Sequence, residues 1–313
     1  VSELFVHETV LPGEAVMALN PRAGGVFVDA TMGGGGHTRR LLAACAPDGT
    51  VIGIDQDERA IAHAEIWGRA YGRRLVVKRA NFAAIADVLS DIGVARVDGL
   101  LMDLGVSSVQ LDEAERGFSY QHDAPLDMRM DRRQRTSART LLAELPERQI
   151  TQILREYGEE KWASRIAAFI VRQRVLTPLD TTGQLVDLIK AAIPASARRD
   201  GPHPAKRSFQ ALRIAVNREL DVLADVLERL PDVLAPGGRI AVISFHSLED
   251  RAVKQAFARA VRPCTCPPRQ PVCTCHKVPT LRLVTRKPIE PTAQEVEGNP
   301  RARSAKMRVA ERL

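Results

Sequence analysis

The first clear pattern in the chain is a short apolar run, Val26-Phe27-Val28, that ends at Asp29 and passes through Ala30-Thr31-Met32 into four consecutive glycines, Gly33 to Gly36. Similar runs at 51–55, 75–78 and 97–103 alternate with helical periodicity at 58–70 and 82–92. Strand and helix in strict alternation predict a parallel α/β sheet. The alternation then stops: between 111 and 207, apolar positions recur every three or four residues over 138–145, 147–157, 161–174 and 182–192, which predicts helices without strands. Residues 209–230 carry Leu212, Val216, Leu220, Leu223, Leu227 and Leu230 along one face. They predict one long helix, closed by Pro231 and the Ala235-Pro236-Gly237-Gly238 turn. A fifth strand is expected at 239–244, a helix at about 248–260, and two last strands at 281–285 and 305–310. The expected organisation is a discontinuous α/β domain, 1–110 with 208–313, interrupted by a helical substrate-recognition domain at 111–207.

Where the glycines fall decides between cofactors. A dinucleotide site needs G-x-G-x-x-G, and the third glycine would have to stand at Thr38 or Arg39, so a nicotinamide site is disfavoured. Asp29, at the end of the first strand, would sit badly beside a pyrophosphate but suits a cofactor carrying an amine or sulfonium cation. That points to S-adenosylmethionine, held by Asp29 and the Gly33-Gly34-Gly35-Gly36 turn, with Asp55 placed for the ribose hydroxyls. Tight packing of a helix on a strand is the structural alternative, but it does not require the entropic cost of four glycines.

The fourth strand delivers Asp103 to the same carboxyl edge of the sheet. An amino group conjugated to a base ring has a delocalised lone pair, so its attack on a methyl sulfonium needs an acceptor to polarise or remove an N–H, which Asp103 could be. Capping a turn is the competing role. His37 opens the first helix, where a neutral imidazole is favoured, and Phe82 follows the third strand, where it can pack on adenine or in the core. Ser244, His246 and Ser247 follow the fifth strand and are candidate substrate contacts, with Ser247 also a candidate helix cap paired with Asp250. Arg129, Arg132, Arg133 and Arg135, and Arg198, Arg199, Lys206 and Arg207 around Gly201-Pro202-His203-Pro204, form two basic groups in the helical segment that could clamp RNA phosphates.

Composition narrows the class further. The net charge of +7 resides in the C-terminal stretch: 11 Lys and Arg face 4 Asp and Glu from Val261 to Leu313, and the rest of the chain balances. Such a surplus suits an anionic polymer such as nucleic acid, or a solvated tail. Aromatics are only 4% of the chain, which argues against an extended base-stacking platform and favours phosphate and shape reading around one flipped-out base. No apolar run approaches membrane-spanning length and residues 1–20 lack a signal-like core, so a soluble, cytoplasmic protein that engages no membrane is expected. Four of the five cysteines form Cys264-Thr265-Cys266 and Cys273-Thr274-Cys275. Paired thiols across a Pro-rich loop can make a structural zinc site, although C-x-C is less diagnostic than C-x-x-C. The chemistry needs no metal, and none of the expected site residues is a metal ligand.

The sequence resembles the bacterial small-subunit rRNA cytosine-N4-methyltransferase family nearly from end to end. The shared strings include His7-Glu8-Thr9-Val10-Leu11, Gly35-Gly36-His37-Thr38, Asp103-Leu104-Gly105-Val106-Ser107-Ser108-Val109-Gln110-Leu111-Asp112, Glu115-Arg116-Gly117-Phe118-Ser119-Tyr120, Pro125-Leu126-Asp127-Met128-Arg129-Met130-Asp131, Ser244-Phe245-His246-Ser247-Leu248-Glu249-Asp250-Arg251 and Asn299-Pro300-Arg301-Ala302-Arg303-Ser304. The resemblance implies a class I, Rossmann-like methyltransferase fold whose seven-stranded sheet has an antiparallel last strand. It implies S-adenosylmethionine contacts at Gly35, Gly36, His37, Asp55, Phe82, Asp103 and Gln110. It further implies methylation of the exocyclic N4 of a decoding-centre cytidine, with 16S rRNA in the small ribosomal subunit as partner; a homodimer is compatible with this reading. Like that family, and unlike DNA amino-methyltransferases, the chain carries Asp103-Leu104-Gly105 in place of an acid, Asn or Ser followed by Pro-Pro-aromatic. Two rivals stay open at this point: a nicotinamide oxidoreductase of the same fold class, and an RNA-binding assembly factor without catalysis.

Overall fold

The computed structural model describes residues 9–106, 113–199, 201–268, 270 and 272–313. The chain forms two compact units, Val1–Gly105 with Leu220–Leu313, and Val106–Glu219. The first contains β1 (Val26–Asp29), β2 (Thr50–Asp55), β3 (Leu75–Arg79), β4 (Val97–Asp103), β5 (Leu234–Ser244), β6 (Leu281–Leu283) and β7 (Lys306–Arg312), in the order β3-β2-β1-β4-β5-β7-β6. β1 to β5 pair in parallel, and β7 runs antiparallel to β5 and β6. This is the class I, Rossmann-like arrangement that the family resemblance implied, antiparallel last strand included.

Period-two alternation divides the core between the two faces of the sheet. Val28, Ile52, Leu100, Met102, Ile240 and Val242 pack with Ile85 and Leu89 of α4 (Ile85–Asp91), Leu223 and Leu227 of α10 (Glu219–Val233), and Val253 and Phe257 of α11 (Ser247–Val261). Phe27, Val51, Leu101, Ala241 and Ile243 pack on the other face with α1 (Pro12–Ala18) and α2 (Gly36–Ala44). α3 (Glu58–Trp67) links β2 to β3, and α12 (Ala293–Gly298) precedes β7. No helix of the described residues is long and apolar enough to cross a membrane.

The second unit contains α5 (Ala138–Glu144), α6 (Glu147–Gly158), α7 (Ala163–Leu176), α8 (Thr182–Ala192) and α9 (Lys206–Asn217). They enclose Ile150, Leu154, Ile166, Ile170, Leu185, Ile189, Phe209 and Leu212, with Leu126 and Met128 from the irregular chain before α5. Polar clamps hold that stretch: the buried Arg116 donates to the carbonyls of Arg129 and Met130, and the Asn217 amide donates to Met128 O and accepts from Met130 N–H. Backbone groups that would otherwise be unsatisfied gain partners without regular structure.

Two expectations need correction. The single helix expected over 209–230 is two helices, α9 and α10, because Arg218 adopts a left-handed conformation (φ 50°) that interrupts the backbone ladder. Apolar periodicity continues across the break and hides it. The fifth strand starts at Leu234, five residues early: Leu234 pairs with Val97 and Arg239 with Gly99, so Ala235 to Gly238 bulge out of the ladder.

Candidate active site

β1 is shorter than its neighbours at the carboxyl edge. Asp29 pairs with Gly53 on β2 and Leu101 on β4, and both neighbours continue two residues further, to Asp55 and Asp103. These two acids therefore flank the gap into which the glycine turn folds. The sheet's connections run in opposite directions on either side of β1 and β4, the kind of place where open α/β sheets bind ligands.

The turn is built from several small constraints. Met32 N–H donates to Ile54 O (2.9 Å), Gly35 N–H to Met32 O (2.8 Å), and Gly33 N–H to Asp55 Oδ2 (2.8 Å). Gly33 and Gly35 lie at φ 50° and 81°, where L side chains are strained. Gly35 and Gly36 are also required by packing: a Cβ on Gly35 would lie 2.3 Å from Trp67 Cζ2, and one on Gly36 would lie 1.7 Å from Thr9 Oγ1. At Gly33 the nearest such contact is Thr31 O at 3.9 Å, so the turn is open on that side. Gly34 is buried within it.

Asp29 lies beneath the turn, 0% exposed, where Oδ2 accepts from Thr38 Oγ1 (2.6 Å) and Oδ1 from Thr31 N–H (3.3 Å). Burial pushes its carboxyl up to about 6, against the pull of those bonds. It braces the start of α2 from inside. Asp55 is half-buried; besides Gly33 it accepts from Asp57 N–H (2.8 Å), and burial likewise pushes it up to about 6. Each of its oxygens retains a second lone pair for a hydroxyl donor.

Asp103 is the most polarised group of the three. Its N–H donates to Thr31 Oγ1 (2.6 Å), while its carboxyl Oδ1 is buried and has no hydrogen-bond partner among the described residues. Burial, then the nearby charges of Asp29 and Glu249, hold it well above the usual carboxylate range. An orphaned buried acceptor beside an open turn is what a site for a donor-bearing or cationic ligand provides. His37 is 4% exposed; Nε2 lies 3.0 Å from Val10 O, and Nδ1 lies 3.8 Å from Asp103 Oδ2. Phe82 is half-buried at the end of β3, on a turn that Asn81 caps through Ala83 N–H, and Asn81 also donates to Gln56 Oε1. Gln110 lies outside the described residues.

The loop after β5 differs from expectation. The Ser244 hydroxyl is buried and donates to Lys306 O (3.2 Å), which ties β5 to β7. His246, not Ser247, caps α11: its Nδ1 accepts Glu249 N–H, and the Glu249 carboxylate accepts the N–H groups of Phe245 and His246. Asp250 instead pairs with Arg308 (2.6 Å). The buried Glu249 escaped sequence reasoning, although Glu three residues after a polar loop residue is the usual capping-box spacing.

In the helical unit, Arg129 is consumed by its own loop: it forms a two-pronged pair with Asp127 (2.7 and 2.8 Å) and donates to the carbonyls of Arg132 and Gln134. Arg207 is exposed and donates to Glu159 O (3.0 Å). Neither helical spacing nor charge signalled the Asp127–Arg129 bond, because residues two apart do not meet on a helix face and the stretch is irregular.

A family model described as the MraW methylase family matches residues 4–313. A protein of Symbiobacterium thermophilum named ribosomal RNA small subunit methyltransferase H is 56% identical over 309 residues, covering 99% of this chain and 97% of its own length. A protein of the same name from Citrifermentans bemidjiense is 55% identical over 311 residues, covering 99% of this chain and all of its own. A family model spanning nearly the whole chain, with relatives this similar over their full length, leaves no other assignment: the chain belongs to the MraW methylase family.

Proposed function

We propose that this protein transfers the methyl group of S-adenosylmethionine to the N4 amino group of a decoding-centre cytidine in 16S rRNA, with the small ribosomal subunit as partner. The observation that carries the reading is the orphaned Asp103 Oδ1 beside the open side of the glycine turn. When bound, S-adenosylmethionine supplies an electrophilic methyl group on a sulfonium. Asp55 accepts the ribose hydroxyls, Phe82 packs on the adenine, and Gly33 to Gly36 with His37 line the methionine end; Gln110 belongs to the same set. Asp103 accepts an N4–H, which draws the amine lone pair out of ring conjugation, and takes the proton as the new N–C bond replaces the S–C bond. Most of the acceleration comes from holding amine and methyl in line. The helical unit is the substrate-recognition domain in this reading, with Arg207 as a phosphate contact and His246 and Ser247 lining the acceptor side.

Ligand-induced stabilisation separates this reading from its first rival. S-adenosylhomocysteine is expected to raise the melting temperature and NAD to leave it unchanged; stabilisation by NAD alone would overturn the cofactor assignment. Absence of any transfer to small subunits by a protein that binds S-adenosylhomocysteine would favour the binding-factor reading instead.

A further inference from the structure

We propose that Cys264, Cys266, Cys273 and Cys275 form a tetrathiolate zinc site that shapes the segment between α11 and β6. The four Sγ atoms all lie within 4.8 Å of one another, with Cys264–Cys273 at 3.7 Å, Cys266–Cys273 at 3.8 Å and Cys273–Cys275 at 3.4 Å. The edge of a tetrahedron with Zn–S bonds of about 2.3 Å is about 3.8 Å. A disulfide would bring a pair to about 2.05 Å. Four thiols this close fit a single central ion; the irons of a polynuclear cluster would hold their thiolates further apart.

Packing does not explain the gathering. The chain leaves α11 at Val261 and is closed again where Thr280 N–H donates to Ala260 O (3.0 Å). Between these points the described residues form no helix or strand, contribute nothing to the buried core, and expose Val272 and Val278 by 72% and 73%. So long an excursion without a core needs a cross-link to hold one shape. The backbone supports the sulfurs: Thr274 N–H points at Cys266 Sγ (3.4 Å), and His276 turns left-handed (φ 52°) immediately after the last cysteine. An amide directed at a ligand sulfur offsets thiolate charge. An all-thiolate donor set selects a soft or borderline ion and excludes magnesium or calcium. The fifth cysteine, Cys45, is buried in the core against the sheet and takes no part.

The site is structural and separate from the methyl-transfer residues. Full-length protein, purified under reductant without a chelating tag, is expected to contain about one zinc per chain by plasma mass spectrometry. Cys264→Ser with Cys266→Ser should lower this at least tenfold while leaving stabilisation by S-adenosylhomocysteine unchanged. Cobalt substitution should give the intense visible bands of tetrahedral thiolate coordination, and chelation should open the 262–280 segment to protease. Wild type that holds no zinc after reconstitution, zinc retained when all four cysteines are serine, or iron found in its place would each overturn the proposal.

Discussion

His37 bridges Val10 and Asp103, with Nε2 3.0 Å from the Val10 carbonyl and Nδ1 3.8 Å from Asp103 Oδ2. A carbonyl only accepts, so Nε2 carries a proton towards Val10, and Nδ1 is the ring atom that faces Asp103. Burial, with the nearby charges of Asp29 and Glu249, holds the Asp103 carboxyl well above the usual carboxylate range. A sulfonium cation arriving beside it lowers its pKa again. S-adenosylmethionine should therefore release more protons on binding near pH 7 than neutral S-adenosylhomocysteine does. Calorimetry in buffers of different ionisation enthalpy measures this, and Asp103→Asn should abolish the difference.

Asp103→Asn should also lower kcat by about 10²–10⁴, the usual worth of a positioned proton acceptor, with little change in S-adenosylhomocysteine affinity. Single-turnover methyl transfer separates the two effects. Full activity in this variant would reduce Asp103 to a structural residue.

Asp55→Ala removes charge-assisted bonds to the ribose and should weaken S-adenosylhomocysteine binding about ten- to hundredfold, or roughly 1.5–3 kcal/mol. Its carboxyl is pushed up to about 6, so protonation removes acceptor capacity as pH falls through that value. Wild-type affinity should drop below pH 6, and Asp55→Asn should flatten the profile. An unchanged affinity for Asp55→Ala by calorimetry would remove this residue from the site.

Asp29 has a different pH signature. Its folded pKa of about 6 exceeds its unfolded value of 3.8, so its contribution to stability is fully present below pH 4 and is lost as pH rises through 6. At pH 8 the buried charge costs on the order of 1–3 kcal/mol. Asp29→Asn should accordingly raise the melting temperature relative to wild type more at pH 8 than at pH 5. The reverse trend in calorimetric scans would contradict the assignment.

Gly36→Ala places a methyl into Thr9 Oγ1 and should destabilise the fold by about 1–3 kcal/mol, with Thr9→Gly offsetting part of the loss. Denaturant unfolding of both single variants and the double variant measures the coupling.

Much of this was legible in the sequence where the signal is local. Alternation between strand and helix located β1 to β4, and apolar runs ending in Asp29, Asp55 and Asp103 marked the carboxyl edge. What stayed hidden depends on contacts between distant residues. The Thr38 hydroxyl on Asp29 and the Lys306 carbonyl on Ser244 belong to no local pattern and came only with the fold. Arg218 hid the break between α9 and α10 because periodicity records faces, not backbone angles. His246 took the cap from Ser247 through an imidazole, a group that hydroxyl and carboxylate cap patterns do not anticipate.

The central claim is most directly tested by tritiated methyl transfer to small subunits from a strain lacking the enzyme, followed by nucleoside mass spectrometry. Wild type should yield N4-methylcytidine from 16S rRNA, and Asp103→Asn should yield about a hundredth of it or less. Label recovered on a ring carbon or a ribose hydroxyl, or no label from a protein that binds S-adenosylhomocysteine, would contradict it.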